Sequence, residues 1–267
     1  LSRSNDGGKT WEPLRVIMDM KEYGGLPQNR NGCSDPGIVV DHTTGDVFCA
    51  AVWMWGKLGH HQWSAGGSDR GYEIGKSAQM LMVHSHDDGK TWSSPDNLTH
   101  RLKQTDWILL APSPQAGITL RDGTLVLPVE GIAEGDPANP DLTKLAFSSV
   151  IISHDHGAKW KMGSTQARGC SECQVVELTD GSLLLNARSM QGTKLRSVFH
   201  SPDLGQTWQP HSTHSKVLIE SGCNGSLIRV NTQRDGKSVS ILLFTNCHVQ
   251  TERSHQTIQV SFDEGAT

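Results

Sequence analysis

The 267-residue sequence predicts an all-β propeller whose short strands group into radial blades of four. Two observations predict it. One eight-residue pattern, Ser-x-Asp-x-Gly-x-Thr-Trp, recurs along the whole chain, and internal recurrence marks a repeat architecture. Between its copies lie short runs, apolar or alternating, bounded by Gly, Asp or Pro. No stretch sustains a 3.6-residue apolar period over three turns.

The octets occupy residues 4–11, 85–92, 153–160 and 201–208. The third copy carries Lys159 in place of threonine. A fifth, 261–267, stops where its tryptophan would stand. The aspartate can accept hydrogen bonds from its own downstream backbone and close a turn. The glycine permits positive φ. The tryptophan is expected to pack its ring into the core and anchor the returning strand.

Strand runs flank the octets at 46–55, 79–84, 123–129, 148–152 and 239–245. The serine opening each octet usually ends such a strand, which makes the octet a hairpin corner. Spacing between copies is uneven, as expected where loops on a fixed scaffold carry function.

Composition excludes several classes. With 24 basic and 28 acidic side chains the formal net charge is −4, which argues against an electrostatic nucleic-acid binder. An anionic small ligand stays compatible, because a few arginines in one pocket act against the net sign. No apolar run approaches the roughly 20 residues of a membrane span. The six cysteines include one lone C-x2-C pair, Cys170 and Cys173. It reads as small buried hydrophobes, with no metal site implied. Histidines 60 and 61 form one pair. His154 and His156 fall in a predicted turn and read as solvent-exposed.

One segment points to chemistry. Residues 172–188 read as a hairpin with Thr179, Asp180 and Gly181 at its tip. A three-residue loop sets Leu178 opposite Ser182, Val176 opposite Leu184, and Glu172 opposite Arg188. A two-residue loop would shift this register by one, and a bulge would disturb it. Spacing alone fits a surface cross-strand ion pair as well as a site. Glu177 has the opposite parity to Glu172 and should point away.

The octets match the Asp boxes of sialidases, and the sequence between them resembles exo-α-sialidases, in order, across nearly the whole chain. The matching pieces are Asp35-Pro-Gly-Ile-Val-Val, Gly117-Ile-Thr-Leu-Arg-Asp-Gly-Thr-Leu-Val-Leu-Pro, Glu172-Cys-Gln-Val-Val-Glu, Leu185-Asn-Ala-Arg-Ser and Gly222-Cys-Asn-Gly-Ser. The resemblance implies a six-bladed sialidase-like β-propeller, incomplete in this chain. Residues 1–267 would form one such domain, lacking the start of its first blade and the end of the propeller. It also favours a secreted or periplasmic setting.

The activity implied is hydrolysis of terminal sialic acids with retention, on sialylated glycoproteins, glycolipids or oligosaccharides. In that family a glutamate at the position of Glu172 assists a tyrosine nucleophile. Arginines at Arg188 and Arg253 would be two of three that bind the substrate carboxylate. Asp35 matches an aspartate that hydrogen-bonds a ring hydroxyl, and Asp106 and Glu130 lie where pocket contacts vary. The chemical logic is consistent. A carboxylate nucleophile would approach the sugar's own carboxylate, which tyrosine avoids, and a guanidinium can hold that carboxylate in a bidentate fork. No cofactor and no metal are implied. The family's first arginine and its acid/base aspartate precede the first box, and its tyrosine follows the fifth. Tyr23 and Tyr72, the only tyrosines, match neither context, so this piece alone is expected to be inactive. The alternatives are a glycan-binding or scaffold propeller without catalysis, and a trans-sialidase.

Overall fold

The computed structural model describes residues 1–56, 67–133 and 141–267. His60 and His61 lie outside these. Among the described residues, four antiparallel sheets follow one another along the chain. Blade I contains β1 (Asn31–Val40), β2 (Val47–Trp55), β3 (Gln79–Ser85) and β4 (Asp96–Asn97). In blade II the first and last strands are each broken in two. Its strands are β5 (Leu109–Pro112), β6 (Ile118–Thr119), β7 (Leu125–Ile132), β8 (Ala146–Ser153), β9 (Lys161–Met162) and β10 (Ala167–Arg168). β5 and β6 both pair with β7, and β9 and β10 both pair with β8. Blade III holds β11 (Cys170–Glu177), β12 (Leu183–Ser189), β13 (Ser197–Ser201) and β14 (Gln209–Pro210); blade IV holds β15 (Ser226–Arg234), β16 (Lys237–Cys247) and β17 (Gln256–Ser261). Helix is limited to segments of three or four residues among the described residues. None is long and apolar enough to cross a membrane.

Successive sheets pack face to face in chain order, giving the arc of a β-propeller. The central strands β2, β7, β8 and β12 are almost wholly buried, and β2 and β7 read as near-continuous apolar runs. One core cluster joins blades I and II through Phe48, Met80, Leu127 and Phe147. A second joins II and III through Val150, Val175, Leu185 and Trp208. A third joins III and IV through Val176, Leu184, Leu242 and Phe244.

Ser85, Ser153, Ser201 and Ser261 end the third strands of the four blades, so each octet after the first begins where a third strand ends. In every octet the serine Oγ accepts the glycine N–H, at 2.7–2.9 Å. The aspartate accepts the N–H four residues on. Where threonine is present its hydroxyl adds a second bond at 2.7 Å; at Lys159 that bond is lost. These donors hold the Asp6 and Asp263 carboxyls down at about 2. Gly157 takes φ 82° and the preceding His156 φ 56°, so the corner needs two consecutive left-handed residues.

The tryptophans differ from expectation. Trp160 and Trp208 are buried, and Trp160 meets Phe48 of blade I edge-on at 5.9 Å. Trp92 is half-buried, and Trp11 is 63% exposed. Each buried ring packs on the sheet preceding its own, and no described sheet precedes Trp11. His154 and His156 are exposed as read, yet His156 Nδ1 also bonds the buried Asp41 of blade I at 2.7 Å. All six cysteines are free, and Cys170 and Cys173 are fully buried.

Candidate active site

The hairpin of blade III adopts the register that its three-residue tip dictates. Leu178 N–H donates to the Ser182 carbonyl at 2.7 Å. Val176 lies opposite Leu184, and Cys173 opposite Ala187. The register then slips between Cys173 and Cys170. This bulge takes in Ser171 and Glu172, and Glu172 still reaches its partner. Arg188 Nη1 donates to Glu172 Oε2 at 2.9 Å. Glu177 lies apart from them, where it pairs with Arg121 at 2.9 Å.

A second bulge sits in β1, where the register slips between Ser34 and Gly37. It places Asp35 at φ 49°, a left-handed conformation rare for a non-glycine residue. Bulges re-aim side chains and recur beside active sites. The two here turn acids from blades I and III toward one cleft. Asp35, Glu130, Ser171, Glu172, Arg188 and Met190 line it. Glu130 comes from the end of β7 in blade II and is only 8% exposed. It lies beside the Glu172 and Asp35 carboxylates.

Electrostatics distinguish these groups. Burial, with the Glu172 and Asp35 carboxylates near it, pushes the Glu130 carboxyl up to about 8. Glu130 is therefore mostly protonated at neutral pH, which relieves crowding among three acids. Burial alone would lower the Arg188 pKa; Glu172 and then Glu130 reverse this and leave it above its ordinary value. Arg188 keeps 28% of its side chain exposed and Glu172 keeps 22%. Arg188 Nε is buried with no hydrogen-bond partner. One guanidinium nitrogen is thus committed to Glu172, while another is desolvated and unspent.

Two further candidates are not among the residues that line this cleft. Asp106 is exposed beside the buried Trp107 and is not part of the cleft lining. Arg253 is also outside that lining; it sits on the loop before β17, and its Nη2 donates to the Gly222 carbonyl at 3.4 Å. Tyr23 meets Trp53 edge-on at 5.1 Å, and Tyr72 lies tilted against His100 at 4.2 Å.

Sequence reasoning missed the charged pair behind the cleft. Arg196 and Glu220 are 0% and 1% exposed and meet at 2.7 Å. An arginine inside the run Leu195-Arg196-Ser197-Val198-Phe199 was the available signal, since an ionisable residue in a buried strand needs a partner.

Residues 1–264 match the BNR repeat-like domain. The chain belongs to the BNR repeat-like domain family. This BNR-repeat chain is 39% identical over all 267 residues to a sialidase of Bacteroides fragilis, covering 47% of that protein. It is 30% identical to a sialidase of Micromonospora viridifaciens, covering 99% of the chain and 39% of the relative. Among solved structures, the Hadza microbial sialidase Hz136 superimposes with a TM-score of 0.89 at 37% identity, over 100% of this chain and 50% of that one. The chain thus spans half or less of the length of these relatives.

Proposed function

We propose that the protein to which this chain belongs is an exo-α-sialidase that releases terminal sialic acids from glycoproteins, glycolipids or oligosaccharides with retention. One observation carries the proposal: Arg188 lines a cleft, with 28% of its side chain exposed there and only Nη1 engaged, on Glu172. A guanidinium in that state can complete its hydrogen bonds on a ligand carboxylate, and its planar fork fits one. The names of the relatives supply the substrate class.

In this mechanism Arg188 and Arg253 hold the sugar carboxylate, with a third arginine from outside these residues. Glu172 acts as base toward a tyrosine nucleophile, also from outside them, and Arg188 keeps that base oriented. Asp35 bonds a ring hydroxyl. Glu130, protonated at neutral pH, donates toward the sugar without adding negative charge where an anion docks. Asp106 is a contact at the pocket rim. The four blades would belong to a six-bladed ring, and residues 1–267 to one propeller domain.

The test uses the whole protein and release of free sialic acid from an α-sialoside. Arg188→Ala should lower kcat/KM by about 10²–10³-fold, the usual cost of removing one member of a desolvated charge pair. Near-normal turnover would reject the assignment.

A further inference from the structure

Arg196 and Glu220 sit at a junction. Arg196 Nε donates to Asn186 Oδ1 at 2.7 Å, and Nη1 donates both to Glu220 Oε2 at 2.7 Å and to the Cys223 carbonyl at 2.8 Å. The other oxygen of Glu220 accepts the Ser189 N–H at 2.8 Å. The guanidinium also lies 5.5 Å from the centre of the Phe244 ring in β16. Asn186 and Ser189 belong to β12 of blade III, Cys223 to the connection leading into β15, and Phe244 to blade IV.

Two of these partners adjoin the arginines assigned to the substrate. Ser189 follows Arg188 in the chain. Cys223 follows Gly222, whose carbonyl accepts Arg253. The buried pair therefore grips the backbone one residue from Arg188, and one residue from the carbonyl that holds Arg253. Stability alone does not call for such a pair. Taking two charges out of water is costly, and apolar side chains of similar volume often serve as well or better. What apolar groups cannot do is fix two backbone segments by directional bonds.

We propose that Arg196 and Glu220 are positioning residues that set Arg188 and Arg253 at one spacing across the boundary between blades III and IV, so that both engage a single carboxylate. This rests on the sialidase reading above. The pair touches no substrate and acts only through those two arginines.

The whole protein, assayed on an α-sialoside, tests it. Glu220→Gln should raise KM about tenfold while kcat stays within about twofold, because ground-state and transition-state carboxylate binding weaken together. In an Arg188→Lys background, which keeps the charge and loses the fork, the same substitution should cost less than about twofold. Full additivity of the two changes, or a lower Tm with unchanged KM, overturns the proposal and leaves a merely structural pair. Should Glu220→Gln fail to fold, Arg196→Met/Glu220→Leu removes both charges and leaves no orphan. That variant should fold and show the same rise in KM; a normal KM in it overturns the proposal. Normal kinetics in Arg188→Lys and Arg188→Ala alone would instead reject the sialidase reading, and the positioning role with it.

Discussion

At the end of the blades closed by the octets, the serine and aspartate side chains find partners within eight residues of chain. Serine and aspartate bind the backbone of their own turn, and the same bonds repeat five times. At the opposite end, the cleft draws Asp35, Glu130, Glu172 and Arg188 from three different blades. Two strand bulges and a buried acid belong to that end. One end is built from local bonds and repeats cheaply. The other is assembled from distant residues, each in a costly environment. The contrast teaches that the repeated turns secure the scaffold by local bonds, whereas the cleft depends on side chains brought together from separate blades.

Three substitutions press on this contrast, from the largest expected effect to the smallest. Gly157→Ala strikes the octet end where local and tertiary demands meet. Its φ of 82° disfavours a side chain, and a methyl there would collide with the Phe48 ring. Chemical denaturation should show a loss of about 3 kcal/mol or more. Unchanged stability would mean that the turn is not rigidly seated on blade I.

Glu130→Gln probes the cleft end. The Glu130 carboxyl, at about 8 when folded against an ordinary 4.5, holds its proton more tightly in the native state. Its contribution is full below about pH 4.5 and is lost as pH rises through about 8. Replacing it with glutamine should abolish that decline. The variant's stability relative to the parent should rise across this window by an amount on the order of a few kcal/mol. Parallel stability curves from pH 4 to pH 9 would show that Glu130 is charged and solvated, and the two ends would then differ less than argued here.

Lys159→Thr should give the smallest change. It restores the hydroxyl bond to aspartate that the other four octets make. A rise in Tm of about 1–2 °C is expected, consistent with one exposed hydrogen bond. A fall in Tm would show that the lysine stem contributes more packing than the lost bond is worth.

Much of the cleft was legible because β-hairpin register follows from tip length. Thr179, Asp180 and Gly181 fixed the pairing from Leu178 opposite Ser182 inward, and that alone brought Glu172 near Arg188. The bulge at Ser171 was not legible, since a slip of one residue depends on what packs behind the strand. Glu130 stands in the apolar run Leu125–Ile132, but nothing in that run says which acids from other blades would face it. Trp11 shows the converse: an octet identical in pattern to the others leaves its ring in solvent, because burial needs a neighbouring sheet.

The sequence by itself determined the octet turns and the hairpin register from Leu178 opposite Ser182 to Cys173 opposite Ala187, which carries Glu172 to Arg188. Each of these depends on bonds or periodicities spanning a few residues. Only the tertiary structure decided which acids share the cleft, which of them keeps its proton, and that Arg196 and Glu220 lie between the backbone of Arg188 and the carbonyl that holds Arg253. Those outcomes depend on burial and on charges brought together from separate blades, and desolvation is set by the packed whole.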